Sequence, residues 1–336
     1  MLPVSIVTGF LGSGKTTLLN RLLHHPGLRN AMVLINEFGK VGIDHLIVSA
    51  ASEKVWLLES GCMCCQVRGE LADTLAHIVR KRARRELPPF DRVLIETTGL
   101  ADPVPIVYSI AAGGQLELDS VITVVDALHG ASQLAEHEEA RKQAAIADHL
   151  IVSKTDLADL AELPELCAAL ARINSAADIV PAPKGEVHPE RLAGRRLPLE
   201  VLRAVPDADG THTHAIRSFT FTLATPVTAA GLATWLSMLA SFKAAGLLRM
   251  KGIVNVTGSP YVVDVVQSVV HEPRELAKWP TEDERSRLVF IVRGIDRGSI
   301  ARTLCAFAMG DSLPRTRQLD PDAYARFRKA ARQFMD

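Results

Sequence analysis

The stretch that decides the fold is G-F-L-G-S-G-K-T, at Gly9–Thr16. It fits the pattern G-x-x-x-x-G-K-[ST], follows the apolar run Val4–Thr8 and opens a segment, Thr16–Leu23, with helical periodicity. Glycines let backbone N–H groups curl around phosphate oxygens, and the N-terminus of the following helix adds a favourable dipole. The stretch therefore predicts a phosphate-binding loop between a strand and a helix.

The polar residues of this loop have separate expected roles. Lys15 would bring a positive charge to the β- and γ-phosphates of a nucleotide, and the Thr16 hydroxyl would be a ligand of Mg²⁺. The other residues expected to contact the phosphates are Gly9, Gly12, Ser13, Gly14 and Thr17.

Short apolar runs alternate with longer amphipathic stretches up to about residue 180, which predicts a doubly wound, mostly parallel sheet of the P-loop NTPase type. The predicted strands are Val4–Thr8, Met32–Asn36, Val55–Leu58, Arg92–Glu96, Val121–Val125 and His149–Ser153. The predicted helices include Thr16–Leu23, Gly69–Arg85, Pro105–Gly113 and Gly130–Asp148.

The length of 336 residues favours two domains. We expect a P-loop domain over residues 1–180, a proline-rich connector over 181–214, and a smaller α+β domain over 215–336. The elements predicted for the last domain are strands at Phe219–Thr222, Gly252–Thr257, Tyr261–Val266 and Arg287–Val292, and helices at Ala229–Ala245 and from about Ser299.

Two later segments follow predicted strands, so they should share the carboxyl edge of the sheet with the phosphate loop. In E-T-T-G, at Glu96–Gly99, the acid can hold Mg²⁺ through a water and Gly99 lets the backbone approach the γ-phosphate. The alternative for Glu96 is an ordinary carboxylate at a strand end.

The second segment is S-K-T-D, at Ser153–Asp156. The stem of Lys154 can lie over the face of a purine, and the Asp156 carboxylate can accept hydrogen bonds from guanine N1–H and N2–H₂. Adenine lacks that pair of donors, so the segment favours GTP over ATP.

Three of the five cysteines fall in the segment G-C-M-C-C, at Gly61–Cys65, directly after the predicted strand Val55–Leu58. Thiolates are soft ligands that favour Zn²⁺ and Cu(I), and three of them on a short turn would leave a fourth position open for transfer. The thiols of Cys62, Cys64 and Cys65 are therefore predicted metal ligands. Two alternatives stay open: small buried hydrophobic residues, or redox chemistry with Arg68 favouring a thiolate.

Two histidines, His212 and His214, stand close together in the predicted connector. They form either a secondary metal site or an incidental pair in a polar loop.

Composition narrows the choice of partner and compartment. Lys+Arg and Asp+Glu both number 38, so nothing indicates a nucleic-acid partner. The first residues lack the features of a signal peptide, and no apolar run approaches the length that spans a bilayer. We expect a cytoplasmic protein without a membrane partner.

The order of these motifs resembles that of the CobW-type family of P-loop GTPases, which are metal chaperones related to the urease and hydrogenase accessory GTPases. The matching elements are Thr8–Thr17, I-N-E-F-G at Ile35–Gly39, Gly61–Cys65, E-T-T-G-L-A-D-P at Glu96–Pro103, S-K-T-D-L at Ser153–Leu157 and L-L-R-M-K-G at Leu247–Gly252.

The resemblance implies slow GTP hydrolysis supported by Lys15, Thr16 and Glu96, with GTP and Mg²⁺ as cofactors. It also implies a first switch at Asn36–Gly39, in which Glu37 is a candidate ligand of the bound metal or of Mg²⁺. The metal would be zinc, or cobalt as the second choice, and it would pass to a client metalloprotein or metal-dependent enzyme. The family also allows a homodimer.

This sequence departs from the family pattern at two positions and in its connector. Ser153 replaces the usual asparagine of N-K-x-D, and Lys40 stands where many members have a glutamate. The long histidine tract common in the family connector is reduced to His212 and His214.

Two other functions remain open at this point. A P-loop kinase acting on a small metabolite would use the same phosphate loop but prefer ATP, which the S-K-T-D segment disfavours. A metal sensor or store could bind nucleotide without turnover.

Overall fold

The computed structural model describes residues 1–28, 30–38, 55–60, 67–112, 114–159, 161–192, 194, 216–241 and 246–304. Asn36–Phe38, Val55–Ser60 and Val67–Glu70 are described in their backbone alone, as are some single helical positions. The chain divides into two compact units, Met1–Arg196 and Leu197–Asp336.

Within its described part, the first unit contains a seven-stranded sheet in which every pairing is parallel. Its strands are β1 (Leu2–Gly9), β2 (Ala31–Phe38), β3 (Val55–Ser60), β4 (Arg92–Thr97), β5 (Leu116–Asp126), β6 (His149–Ser153) and β7 (Asp178–Ala182). Their order is β3-β2-β4-β1-β5-β6-β7. Because all the strands run the same way, their carboxyl ends meet at one edge.

Helices cover both faces of this sheet, which is why its strands are almost continuously apolar. The helices are α1 (Lys15–His24), α2 (Val67–Ala83), α3 (Val104–Ala112), α4 (Gly130–Glu136), α5 (Glu138–Ala145) and α6 (Leu163–Ile173). On one face, Leu18 and Leu22 of α1 pack with Val7 and Ile122. On the other face, side chains of α4, α5 and α6 pack with β5 and β6. The predicted doubly wound fold is confirmed.

Two features of this unit differ from the sequence-based expectation. The predicted helix Gly130–Asp148 is two helices, because His137 has extended dihedral angles, φ −113° and ψ 123°. The strand β7 and the helix α6 were not predicted. Pro181 argued against a strand at β7. A proline is tolerated there because β7 is an edge strand that pairs with β6 alone among the described strands.

Part of the segment assigned to the connector has defined structure. Residues 181–192 contain the end of β7 and two short 3-10 turns, Pro183–Gly185 and Pro189–Arg191. Residues 195–215 lie outside the described ranges, so the bounds of the connector stay a prediction.

The second unit is an antiparallel sheet with helices, as expected of a smaller α+β domain. Its strands are β8 (Ile216–Leu223), β9 (Leu247–Val256), β10 (Ser259–Val266), β11 (Val269–Val270), β12 (Arg274–Glu275) and β13 (Ser286–Arg293). Its helices are α7 (Ala229–Ser241) and α8 (Arg297–Thr303). The strand order is β11-β10-β9-β13-β8, and β12 pairs with β10.

The core of this unit contains a group of aromatic rings among mostly aliphatic side chains. Trp235 of α7 is fully buried and lies edge-to-face with Phe290, with ring centroids 6.0 Å apart. Phe221 meets the same ring at 5.5 Å. Arg249 and Asp264, on neighbouring strands, form a buried ion pair at 3.0 Å.

Among the described helices, none has the length and apolar character that crossing a membrane requires.

Candidate functional site

The phosphate loop has a backbone that only glycine adopts without strain. Gly9, Gly12 and Gly14 have φ values of 144°, 72° and 92°. A Cβ atom at Gly9 would lie 2.2 Å from the carbonyl oxygen of Val124, its register partner on β5. The glycines therefore let the loop leave β1 tightly against β5 and curl where phosphate oxygens would bind.

Lys15, the first residue of α1, is folded across this loop and is 9% exposed. Its Nζ donates to the carbonyl oxygens of Gly9 and Phe10 at 2.9 and 3.1 Å. These contacts hold a positive charge above the N-terminus of α1, where an anion is already favoured by the helix dipole.

Thr16 and Glu96 form the second polar pair of the site. The Thr16 hydroxyl donates to Oε1 of Glu96 at 2.8 Å, and the Glu96 side chain is buried at the end of β4. Both groups offer the hard oxygen ligands that Mg²⁺ prefers. The chemistry of this pair fits Mg²⁺, which Thr16 would hold as a ligand and Glu96 would hold through a water.

Gly99 follows β4 in a turn that presses against the phosphate loop. The turn is closed by a hydrogen bond from Ala101 N–H to the Thr98 carbonyl oxygen at 3.1 Å. A Cβ atom at Gly99 would lie 2.7 Å from the backbone nitrogen of Leu11. The backbone of this turn thus reaches the phosphate loop. Its contact with a γ-phosphate stays a prediction.

The segment after β6 is joined to the phosphate loop by two side chains. Ser153 donates through Oγ to the Ser13 carbonyl oxygen at 2.6 Å, and Lys154 donates through Nζ to the Gly12 carbonyl oxygen at 2.9 Å. Lys154 has a positive φ of 57°, which turns its side chain back over the loop. The Ser153 side chain therefore joins this segment to the phosphate loop.

Asp126 is a residue of this site that the motifs did not indicate. It ends β5, is 2% exposed, and its Oδ2 accepts a hydrogen bond from Lys154 Nζ at 2.6 Å. Burial alone would raise the pKa of Asp126, but hydrogen bonds from Lys154, from the N–H of Leu128 and from His129 hold it below its usual value. Its signal was present in the sequence, since it is an acid that ends an apolar strand, as Glu96 is.

Asp156 lies beside the turn Pro183–Gly185, which the sequence analysis assigned to the connector. Its Oδ1 accepts a hydrogen bond from the N–H of Lys184 at 2.7 Å. Gly185, in the same turn, is so close to α1 that a Cβ atom there would lie 3.2 Å from Cγ2 of Thr17. The turn Pro183–Gly185 thus brings Asp156 and the start of α1 together.

The thiols predicted to bind the second metal lie beyond what the structure describes. Cys62, Cys64 and Cys65 fall in 61–66, which is outside the described ranges, as are Gly39, Lys40, His212 and His214. The backbone of Glu37 on β2 is in register with Glu59 on β3, but its side chain is not described. Within the described ranges, no group of three or more His, Cys, Asp or Glu residues could hold a metal ion.

Two family models match the chain. The model described as CobW/HypB/UreG, nucleotide-binding domain, matches residues 3–181, and the model described as Cobalamin synthesis protein cobW C-terminal domain matches residues 216–308. Together they cover both units.

Named relatives match over most of the chain. The zinc chaperone YjiA of Escherichia coli is 32% identical over 301 residues, which is 86% of this chain and 93% of the relative. The zinc chaperone CobW of Pseudomonas aeruginosa is 33% identical over 355 residues, 90% of each chain. The crystal structure of the Zn(II)-bound YjiA GTPase from E. coli superposes with a TM-score of 0.66 at 26% identity and covers 91% of this chain and 98% of its own.

Proposed function

Because this chain belongs to the CobW/HypB/UreG family of nucleotide-binding proteins, we propose that it hydrolyses GTP and uses the nucleotide cycle to load and release a zinc ion for a client protein. The single observation that carries the proposal is the convergence at one sheet edge. There the phosphate loop, the Thr16–Glu96 pair and the segment Ser153–Asp156 are joined by hydrogen bonds between residues far apart in sequence.

Recognition of guanine rests on Asp156. One of its carboxylate oxygens accepts from Lys184 N–H, which fixes the orientation of the carboxylate. A carboxylate can accept from both N1–H and N2–H₂ of guanine, whereas adenine presents an acceptor at N1 and would face it with repulsion. The chain should therefore bind GTP in preference to ATP.

Hydrolysis in this proposal is electrostatic and forms no covalent intermediate. Lys15 and the backbone N–H groups of the glycine-rich loop stabilise charge on the phosphates, and the Gly99 turn provides backbone contact on the γ-phosphate side. Mg²⁺ held by Thr16 and Glu96 would neutralise charge on the β- and γ-phosphates when bound.

The zinc ion is the cargo, and its proposed ligands are the thiols of Cys62, Cys64 and Cys65. The strand β3 ends at Ser60 and is parallel to β2, so the cysteine segment starts from the same sheet edge as the phosphate loop. Among the described strands, β2 and β4 lie between β3 and β1, which gives a lateral distance of about 14 Å at the usual strand spacing. The five residue-to-residue steps from Ser60 to Cys65 span up to about 17 Å when extended.

That reach supports coupling between zinc and the γ-phosphate. Order in the switch Asn36–Gly39 and in the cysteine segment would depend on GTP, and hydrolysis would release the metal by removing the γ-phosphate contacts. The Glu37 carboxylate is a candidate additional ligand because β2 carries it beside β3. Relatives named as zinc chaperones support zinc over cobalt.

Competition binding tests the nucleotide. We expect unlabelled GTP to displace a fluorescent GTP analogue at much lower concentration than ATP does. A clear preference for ATP, with phosphorylation of a small acceptor, would instead identify a kinase.

Zinc titration tests the cargo and its coupling. We expect tighter zinc binding with a nonhydrolysable GTP analogue and Mg²⁺ than with GDP, and loss of that binding in Cys62→Ser, Cys64→Ser and Cys65→Ser. Cys167→Ser is the matched control, since Cys167 is a half-buried thiol on α6. Equal zinc affinity in the two nucleotide states would rule out the chaperone cycle, and absent GTP turnover would favour a sensor or store.

A further inference from the structure

A buried amide on α5 contacts the Gly99 turn. Gln143 is 0% exposed, and its Nε2 donates to the carbonyl oxygens of Gly99 at 3.1 Å and Ala101 at 3.0 Å. One side chain therefore holds two carbonyl groups of the turn that follows β4. The opposite assignment of the amide would point its oxygen at both carbonyl oxygens, so the donor assignment is the favourable one.

The backbone of Gln143 is itself fixed to the centre of the sheet. Its carbonyl oxygen accepts a hydrogen bond from the Thr123 hydroxyl at 2.7 Å, and Thr123 is buried on β5. Thr123 is the register partner of Thr8, the residue before Gly9. Gln143 thus links the Gly99 turn to the strand pair from which the phosphate loop emerges.

The turn that Gln143 holds has little room for displacement towards the phosphate loop. Gly99 is already so close to the backbone of Leu11 that even a methyl group would clash. Displacement in the other direction would withdraw its backbone from the phosphate loop. The two hydrogen bonds from Gln143 therefore set the distance between the turn and the phosphate loop.

Packing alone does not require an amide at this position. Oε1 of Gln143 is buried and has no hydrogen-bond partner among the described residues. A buried unsatisfied acceptor costs stability, and an apolar side chain of similar length would fill the space without that particular cost. The amide is best explained by the two carbonyl groups that it holds.

We propose that Gln143 is a positioning residue for the terminal phosphate of GTP. It fixes the Gly99 turn in the place where the turn meets a γ-phosphate, and GDP, which lacks that phosphate, does not use the contact. This inference rests on the proposed GTP-dependent function. It assigns to α5 a role in distinguishing the two nucleotide states.

The test compares Gln143→Met and Gln143→Glu with the wild-type protein and with Gln115→Met. Gln115 is an exposed glutamine directly before β5, at the edge of the sheet away from the phosphate loop. We expect Gln143→Met to weaken a nonhydrolysable GTP analogue about tenfold, the effect of losing two net hydrogen bonds, while GDP affinity changes by less than about twofold. The kcat for GTP should fall by a similar factor. Gln115→Met should match the wild-type protein.

Gln143→Glu adds a second measurement, the pH dependence of affinity for the GTP analogue, which a purely structural role would not change. The ionised carboxylate cannot donate a hydrogen bond, but the protonated acid can donate one. Affinity for the GTP analogue should therefore recover partly as pH falls, relative to Gln143→Met at each pH, with GDP affinity unchanged. Thermal unfolding of each variant reports its folding.

Equal loss of GDP and GTP-analogue affinity, or no loss of either, would overturn the role of Gln143. A wild-type protein that binds the GTP analogue without hydrolysing it would refute the proposed turnover. The affinity comparison would still decide the role of Gln143 in that case, so the two failures are distinguishable.

Discussion

The base side and the γ-phosphate side of the nucleotide site are held in different ways. On the base side, Ser153, Lys154 and Asp156 each make a hydrogen bond to a different part of the backbone, and Lys154 also pairs with Asp126. On the γ-phosphate side, the side chain of Gln143 makes both of the side-chain hydrogen bonds that join α5 to the Gly99 turn among the described residues. The base side therefore keeps several bonds when one side chain is changed, whereas the position of the Gly99 turn on the γ-phosphate side depends on Gln143.

Lys15→Ala should produce the largest effect, because it removes the charge that serves the phosphates. We expect kcat/KM for GTP to fall by about a hundredfold or more, in the range found when a single group stabilising a transition state is removed. Steady-state phosphate release measures it. Lys278→Ala, an exposed lysine of the second unit, is the control and should match the wild-type protein. Activity within about threefold of the wild-type value would show that Lys15 does not serve the phosphates.

Asp156→Asn changes the base side and should alter specificity rather than catalysis. Replacing the carboxylate removes two charge-assisted hydrogen bonds to guanine, so GTP and GDP affinity should fall about thirtyfold to a hundredfold. Xanthosine triphosphate, which presents an oxygen at C2, should bind better than it does to the wild-type protein. Calorimetry with the three nucleotides measures the change, and Asp159→Asn, an exposed neighbour, is the matched control. An unchanged preference for guanine would remove Asp156 from base recognition.

Asp126→Asn tests whether Asp126 at the end of β5 holds Lys154, and with it the base side, in place independently of the nucleotide. Loss of the charge beneath Lys154 should weaken GDP and the GTP analogue by the same factor, about tenfold, in contrast to the selective effect expected for Gln143→Met. A selective effect on one nucleotide would contradict the distinction between the two sides.

The same variant gives a pH dependence with a defined sign. Because the folded-state pKa of Asp126 is lowered, the stability that its charge contributes is fully present above the unfolded value of about 4 and is lost as pH falls through the folded value. The difference in unfolding free energy between the wild-type protein and Asp126→Asn should be constant from pH 8 to 5 and shrink below about pH 4. Denaturant titrations across this range measure it. A difference that grows with acidification would contradict the assignment.

Local patterns predicted the parts of the fold and site whose chemistry lies in consecutive residues. The phosphate loop, Glu96 at the end of β4 and the segment Ser153–Asp156 were all readable because each follows an apolar strand. The strands themselves were readable because parallel strands covered on both faces are continuous apolar runs. The strand β7 was not predicted because it contains Pro181. A proline is tolerated in an edge strand, but whether a strand lies at an edge depends on the strand order, which the sequence does not show.

Contacts between distant residues account for the rest. Gln143 lies 44 positions from Gly99, and nothing in the sequence around it distinguishes it from an ordinary helical glutamine. The break at His137 has no glycine or proline to mark it; its imidazole stacks on Phe10 of the phosphate loop, with ring centroids 4.5 Å apart. In both cases the contact joins the residue to a distant part of the nucleotide site, so a local sequence pattern does not reveal it.

Ser153→Ala should produce the smallest effect of these variants. It tests the comparison between the base side and the γ-phosphate side at a single neutral hydrogen bond. The variant loses a hydrogen bond to the Ser13 carbonyl oxygen, while Lys154 still ties the same segment to Gly12. Loss of one neutral hydrogen bond costs about 1 kcal/mol, so GDP and GTP-analogue affinity should both fall about fivefold. Ser132→Ala, on the surface of α4, is the control. If the loss fell on the GTP analogue alone, Ser153 would act through the phosphate loop on the γ-phosphate, and the base side would not be independent of the nucleotide state.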